Sequence, residues 1–394
     1  MDNVSVLRSR PALRWLVPSA AALAVIGGGA AAGTIVANAD PALPERSAAQ
    51  LLVDLQNADP EGLSGTVVQS ADLGLPGIAG LLGNVQGSGG LTSLIAGSNT
   101  ARVWYAGEEK ARFALLGTTG ETDVIRNGSD VWVWSSTDNT GTHVKLPASA
   151  TDRTPPVAPS GLPGSPQEAA DAALAAIDPT TAVTTTGTAE VAGRTAYELV
   201  LSPRDADSKV GQVRLAIDPE HHIPLRVDVF AKNNTNPAFR VAFEQISFAV
   251  PGDEQFAFNP PAGAKITEET LPADTHRGKP DAKTEKEAEK ALADAEKSGD
   301  LKVVGTGWTS ILVTKAPKLD ELEKAATSAE AGSTPEGVEA GKLASGFLDT
   351  LEKVDGSWGS GRLLNGSLFT VLITDDGRLL AGAVTPEALY KAAA

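Results

Sequence analysis

Apolar and polar residues alternate along much of the chain between residues 63 and 258, and this pattern predicts a long series of β-strands. The pattern is typical of strands with one buried face. Glycine, asparagine and proline separate the runs, as expected for turns between neighbouring strands. The predicted strands are 63–70, 102–105, 110–117, 121–126 and 142–146, followed by a meander over 188–258 that ends at Phe256 and Phe258. Because so many strands follow one another, we expect one large antiparallel sheet with helices on one side.

The most informative run is 124–135, VIRNGSDVWVWS. Asn127-Gly128 lies between two runs of β-branched and aromatic residues, which predicts a tight hairpin with a type I′ turn. Alternation places Trp132 and Trp134 on one face of the second strand and two valines on the other. Since neither face suits water, we expect one to meet a core and the other to meet a second layer or an apolar ligand.

Two helices are predicted beside these strands. Ser47 and Gln50 form a capping box before a leucine stripe, and Ser165 begins a second helix that ends at Asp178-Pro179. Residues 73–101 carry no charge and are rich in glycine. This segment is either a low-complexity loop or a mobile apolar flap over a cavity.

The C-terminal part of the chain has a different pattern. Residues 268–300 are dense in lysine and glutamate and predict a solvated linker helix. Beyond them, 301–394 predicts a small α+β domain. Its elements are one strand over 303–314, two helices over 319–354, a strand pair over 363–374 and 378–384, and a last helix after Thr385-Pro386-Glu387.

The N-terminus resembles an export signal. Three arginines precede an uncharged run over 16–39, which ends in the A-x-A pattern of Ala37 to Ala39. The run is long for a cleaved signal and close to the length of a membrane span, so residues 1–39 are a signal peptide or an N-terminal membrane anchor. In both cases the body of the protein is extracytoplasmic.

Charge and composition exclude several function classes. The net charge of −16 argues against nucleic acid as a partner, and the absence of cysteine excludes disulfides, thiol catalysis and lipidation at a lipobox. The stretch 337–342 is one residue short of a phosphate-binding loop, and no G-x-S-x-G elbow occurs. His221 and His222 are adjacent, which disfavours a shared metal site. We therefore expect no cofactor and no enzyme activity.

The apolar side chains carry the functional argument instead. They either fill a solid core or line a cavity for an acyl chain. The candidate ligand-binding residues are Trp104, Phe113, Leu115, Trp132, Trp134 and Phe243.

The order of these segments resembles the LolA superfamily, which includes LolA-type lipoprotein carriers, LppX-like lipid-binding lipoproteins and RseB/MucB sensors. The resemblance covers roughly 47–267 and rests on five segments: GTVVQS, VWYAGEEKARFALLG, DVIRNGSDVWVWSS, RLAIDPEHHIPLRVDVFA and VAFEQISFAVPGDEQFAFNPPAGAKI. It implies an α+β fold in which a large antiparallel, unclosed β-barrel with a helical lid encloses an apolar cavity. The chain departs from the family pattern in lacking a lipobox cysteine and in carrying the small C-terminal α+β domain.

The leading hypothesis is an extracytoplasmic, non-enzymatic carrier that binds lipid or lipoprotein acyl chains within residues 40–267. The alternative is an RseB/MucB-like regulatory sensor that binds an anti-sigma factor or another membrane protein, because a second domain after a linker resembles the RseB architecture. An enzyme with an unrecognised site is the third possibility. On each hypothesis, 268–300 is the linker and 301–394 the second domain.

Overall fold

The computed structural model describes residues 43–75, 97–146, 179–270, 301–316, 346, 348 and 350–394. Twelve strands form the first sheet. They are β1 (Leu63–Ala71), β2 (Gly97–Tyr105), β3 (Lys110–Leu116), β4 (Glu121–Asn127), β5 (Asp130–Ser135), β6 (Thr140–Lys145), β7 (Thr181–Val191), β8 (Arg194–Pro203), β9 (Val210–Ile217), β10 (Pro224–Ala231), β11 (Pro237–Ser247) and β12 (Lys265–Thr270).

The twelve-stranded sheet is open. Its strand order is β12-β6-β5-β4-β3-β2-β1-β11-β10-β9-β8-β7, so that β12 and β7 form its two edges. Neighbouring strands are antiparallel except at β12, which runs parallel to β6. The expectation of a large, mostly antiparallel and unclosed sheet is confirmed. Parallel pairing of the last strand was not predicted, because it joins segments more than a hundred residues apart.

One described helix packs on this sheet. Helix α1 (Ala48–Gln56) begins at the predicted capping box, in which the Gln50 backbone N–H donates to Ser47 Oγ and the Ser47 N–H donates to Gln50 Oε1. Leu51 of α1 is buried against Tyr197, Leu199 and Ile217. The second predicted helix, from Ser165, lies outside the described residues, so the helical lid remains an expectation.

A second sheet of six strands forms the C-terminal unit, in the order β13-β14-β18-β17-β16-β15. Helix α2 (Pro386–Ala393) packs on it, and Leu389, Leu372 and Leu380 lie in its core. The strands are β13 (Leu301–Val304), β14 (Ile311–Lys315), β15 (Glu352–Gly356), β16 (Gly359–Asn365), β17 (Thr370–Thr374) and β18 (Arg378–Gly382).

Three predictions for the C-terminal unit were wrong in detail. The strand predicted over 303–314 is interrupted by a 3-10 turn, Gly307–Thr309, between β13 and β14. The strand predicted over 363–374 is two strands joined by a turn at 366–369. The helices predicted over 319–354 cannot extend to residue 354, since Glu352–Gly356 is strand β15 and pairs with β16. Glycines that allow these turns also occur inside strands, which is why the pattern alone did not locate them.

The two sheets meet at the loop between β8 and β9. Ser208 forms a bridge with Val384, and the Thr385 N–H donates to Asp207 O at 2.9 Å. Lys209 Nζ donates to Asn365 Oδ1 and Gly366 O. At a second point, Trp308 Nε1 donates to Thr181 Oγ1 at 2.8 Å. The C-terminal unit therefore contacts the large sheet through several hydrogen bonds spread over both units.

Several sequence predictions lie outside the described residues. They are the signal or anchor at 1–39, most of the uncharged segment 73–101 and the linker helix beyond residue 270. The linker prediction began too early, because residues 268–270 belong to β12. Within the described part of the chain, no helix is long and apolar enough to cross a membrane.

Candidate functional site

The β4–β5 hairpin forms where it was predicted, but its turn is displaced by one residue. Asn127 pairs with Asp130, so the two loop residues are Gly128 and Ser129. Gly128 has a φ of +62°, whereas neither Asn127 nor Ser129 has a positive φ. This pattern matches a type II′ turn rather than type I′. A type I′ pattern occurs instead at Ala192-Gly193, between β7 and β8, where both residues have positive φ.

Trp132 and Trp134 share one face of β5, as predicted, and the chain itself covers that face. The Trp132 ring lies 5.1 Å from that of Phe258, and the Trp134 ring lies 5.5 Å from it, measured between centroids. Trp134 is only 5% exposed. Opposite it, a Cβ on Gly141 would lie 3.1 Å from the indole, so the glycine makes room for this ring.

The covering segment belongs to the predicted meander but is not a strand. Residues Asp253–Gln255 form a 3-10 turn, followed by the fully buried Phe256 and the half-buried Phe258. Lys110 of β3 forms an ion pair with Asp253 at 2.6 Å, which fixes the start of the segment. The strand predicted to end at Phe258 was therefore wrong. Phe258 of this segment instead covers the tryptophans of the hairpin.

The six candidate residues divide between two faces of the sheet. Directly opposed residues in an antiparallel pair share a face. Trp104 opposes Arg112, which opposes Ile125, which opposes Trp132. Phe113 instead opposes Val103 and Val124, and Val124 opposes Val133. Trp104, Trp132 and Trp134 therefore lie on one face, named here the tryptophan face, and Phe113 and Leu115 lie on the other.

The second face is the one that carries α1. Leu63 opposes Tyr105, and further along β1, on the same face, Gln69 opposes Val241. The row of opposed residues continues through Val227 and Leu215 to Leu199, which packs against α1.

The candidate residue Phe243 opposes Val67 and therefore lies on this face too. We name this face of the sheet, the one that carries α1, the helix-side face. A single cavity lined by all six residues is not formed.

The helix-side face also holds a buried polar pair. Gln69 is fully buried, and Asn99 Nδ2 donates to its Oε1 at 2.7 Å. A hydrogen bond is needed there because an amide buried among apolar groups without a partner costs about 1–3 kcal/mol. Sequence reasoning missed this pair, since nothing in the pattern relates positions thirty residues apart.

Charges on the tryptophan face are paired. The Arg112 guanidinium donates to Asp123, which is 1% exposed, and lies 5.1 Å from the Trp104 ring centroid. Burial and the neighbouring Asp123 raise the pKa of Glu121, against the opposing effect of Arg112. This face thus combines ion pairs with aromatic packing, which is typical of a structural layer.

Among the described residues, one group offers three metal-ligand atoms together: Asp218, Glu220 and His221. Arg194 donates to Asp218 at 2.5 Å and to Glu220 at 2.8 Å, so a guanidinium already supplies the positive charge. Asp218 also accepts the backbone N–H groups of Glu220 and His221. The His221 ring stacks on Phe248. These contacts describe a turn held by its aspartate, as the sequence predicted for Asp218-Pro219.

No family model and no curated protein matches the chain. Among solved structures, it is similar to the MucA/MucB complex of Pseudomonas aeruginosa, with 15% identity, a TM-score of 0.40 and coverage of 88% of this chain and 96% of the other. It is also similar to the LolA superfamily protein NE2245 from Nitrosomonas europaea, with 11% identity, a TM-score of 0.20 and coverage of 54% and 99%. A putative outer membrane lipoprotein-sorting protein domain from Vibrio parahaemolyticus matches at 9% identity and a TM-score of 0.20, over 52% of this chain and 94% of that one. MucB and LolA superfamily proteins are thus among the solved structures to which this chain is similar, as the sequence pattern predicts.

Proposed function

We propose that this protein is an extracytoplasmic, non-enzymatic binding protein that holds a lipid or lipoprotein acyl chain against the helix-side face of its large sheet. The N-terminal export pattern supports the location. The apolar surface of β2–β5 on that face supports the ligand class, and it is the observation on which the proposal rests.

This apolar surface extends beyond α1. The residues that pack around Leu51 include Val183, Tyr197, Leu199, Leu215 and Ile217, all on β7–β9. At the β2–β5 end of the same face, Val103, Phe113 and Val124 are half-buried and Val133 is 38% exposed. Adjacent apolar side chains that remain partly exposed commonly mark a binding surface.

The exposed fraction of the side chains on this surface increases from β2 and β3 toward β5. Ala101 and Leu115 are 0% and 1% exposed, whereas Val133, two strands away, is the most exposed. An acyl chain lying across these strands would bury apolar area at its inner end and leave its polar end toward water. Each buried methylene group contributes about 0.8 kcal/mol, so about ten of them are needed to supply the roughly 8 kcal/mol of micromolar binding.

This proposal gives the tryptophans a structural role. Trp132 and Trp134 pack against Phe258 on the opposite face, so we propose that they hold the covering segment 253–258 to the sheet. Phe113 and Leu115 are the candidates from the sequence that lie on the proposed β2–β5 surface, whereas Phe243 lies on the same face of the sheet but on β11.

Native mass spectrometry of the full chain, purified from its own host, tests the ligand class. We expect a mass increment that matches a lipid or an acylated peptide and disappears after extraction with organic solvent. A protein that is free of lipid, and that does not bind a fluorescent fatty acid added later, would contradict the proposal.

Titration with that fluorescent fatty acid tests the surface. Phe113→Ser should weaken binding by about tenfold or more, because burial of a phenylalanine is worth about 1.5–3 kcal/mol. Val250→Ser is the matched control, since Val250 is 57% exposed and lies beyond the end of β11. Equal affinity in wild type and Phe113→Ser, with both folded by circular dichroism, would exclude this surface.

The C-terminal unit favours a second candidate, a regulator that binds a membrane-protein partner. It contacts the large sheet at Ser208–Val384 and Thr181–Trp308, in addition to its covalent connection through the chain. In the same mass spectrum, a bound polypeptide fragment without lipid would favour the regulator.

A further inference from the structure

The side chain of His143 lies between two carboxylates from different strands. Its Nδ1 is 2.7 Å from Glu268 Oε2 on β12, and its Nε2 is 2.9 Å from Asp130 Oδ1 on β5. A carboxylate only accepts hydrogen bonds, so each ring nitrogen must donate. An imidazole donates from both nitrogens only when it is protonated.

The surroundings favour a fixed ring. His143 stacks on Trp132 with ring centroids 4.1 Å apart and planes 10° apart, and its side chain is 16% exposed. Lys145 is a further charged group nearby, with Nζ 4.0 Å from Asp130 Oδ1, and Ser129 Oγ donates to the other oxygen of Asp130. Because stacking limits rotation of the imidazole, it cannot easily turn away from a carboxylate to which it no longer donates.

The contact lies at one edge of the large sheet. His143 and Glu268 are directly opposed in the parallel pair of β6 and β12. Within the described part of the chain, β12 is an edge strand that pairs with β6. The side-chain contacts therefore add to the six residues of backbone pairing between β12 and β6.

We propose that His143, Asp130 and Glu268 form a pH-sensitive latch on β12. With both nitrogens protonated, the ring donates to both carboxylates and ties β5, β6 and β12 together. Loss of one proton replaces a hydrogen bond with a nitrogen lone pair facing a carboxylate. The latch is closed while the ring carries both protons and loosens as the pH rises and one proton is lost.

Hydrogen exchange of the full chain tests the latch. Amide protection in β12 would be measured at pH 5.5, 6.5 and 7.5 and corrected for the intrinsic pH dependence of exchange. We expect protection to fall by about tenfold over this range, the factor that corresponds to one charge-assisted hydrogen bond. Protection in β10, at the centre of its half of the sheet, should stay constant.

Two variants separate the latch from general effects of charge. His143→Gln should give β12 protection that does not vary with pH. His222→Asn is the matched control, because asparagine tolerates the positive φ of His222, and it should behave as the wild type. A pH dependence that persists unchanged in His143→Gln, or wild-type protection that is constant, would overturn the proposal.

Glu268→Gln provides an independent check should His143→Gln fold poorly. The amide can accept from or donate to a neutral imidazole, so the loss of protection between pH 5.5 and 7.5 should be clearly smaller than in wild type. An unchanged loss would contradict a role for Glu268. Trp132 fluorescence should follow the same titration in the wild type and lose it in His143→Gln.

Discussion

At the scale of single residues, the buried Asp218 is the clearest example of a charge stabilised by its contacts. Burial alone would raise its pKa. The Arg194 guanidinium and the N–H groups of His221 and Glu220 outweigh that effect and hold the pKa of Asp218 below its ordinary value. A carboxylate with a lowered pKa stabilises the folded state at neutral pH, and this stabilisation is lost as the pH falls through that pKa.

Asp218→Asn should therefore lower the free energy of unfolding by about 2 kcal/mol at pH 7, an amount reduced by the partial exposure of Arg194. Urea denaturation at pH 7 measures this loss. The difference from wild type should shrink below about pH 4, where the aspartate of the unfolded wild-type chain gains a proton, and should be lost as the pH falls through the lowered pKa of folded Asp218. A difference that grows in acid would contradict the assignment.

A second prediction at this scale concerns Trp134. Trp134→Ala should lower the free energy of unfolding by about 3–5 kcal/mol, because the ring is nearly fully buried against Phe258 and Gly141. Affinity for a fluorescent fatty acid should stay within about twofold in the folded protein, since this ring lies on the tryptophan face. A loss of affinity for the fatty acid with an unchanged free energy of unfolding would indicate that Trp134 contacts the ligand.

At the scale of elements, substitutions in the two hairpin turns should change stability in opposite directions. Gly128→Ala should cost about 1 kcal/mol, because Gly128 needs a positive φ, whereas Asn127→Thr should be nearly neutral, since Asn127 is a paired strand residue. Ala192→Asn should raise stability by about 0.5–1 kcal/mol, because it places Asn-Gly in the turn that has the type I′ pattern. Thermal denaturation of the three variants measures these shifts. A large loss in Asn127→Thr would restore the turn predicted from the sequence.

These turns show how far sequence reasoning reaches. Alternation located the strands and the capping box located α1, because both depend on neighbouring residues. The turn at Gly128 was displaced by one residue because register depends on partners across the whole sheet. For the same reason, the pattern identified Phe113 and Trp132 as candidates but could not place them on opposite faces, which required the pairings through β3 and β4.

The position of the covering segment 253–258 and the parallel pairing of β12 could not be predicted either, because both depend on partners distant in the sequence. Phe256 and Phe258 alternate as a strand would, yet they follow a 3-10 turn, and Phe258 packs against Trp132 and Trp134. Only the position of their distant partners distinguishes the two outcomes.

At the scale of the whole molecule, both backbone and side-chain hydrogen bonds attach the C-terminal unit to the large sheet. Burial lowers the pKa of Lys209, against the opposing effect of Glu387, and its ammonium donates to Asn365 and Gly366 across the boundary. Lys209→Ala combined with Trp308→Phe should increase the radius of gyration measured by small-angle X-ray scattering, because hydrogen bonds at both contact points are lost. Lys391→Ala, which removes an exposed pair with Asp207 at 3.9 Å, is the control and should leave the radius unchanged. Equal radii in all three proteins would mean that the contacts do not hold the units together.

The open sheet has a further consequence, for behaviour at high concentration. An unclosed sheet ends in two strands that could pair with another molecule. On β7 the pairing shifts between Thr185 and Thr188, and Gly187 has a φ of +105°, so the outer edge is bent where another strand would dock. On β12 the adjacent acidic residues Glu268 and Glu269 would repel a second copy of the same edge. These features of its two edge strands thus keep the molecules apart, and deletion of Gly187, which would straighten β7, should favour fibre-like association.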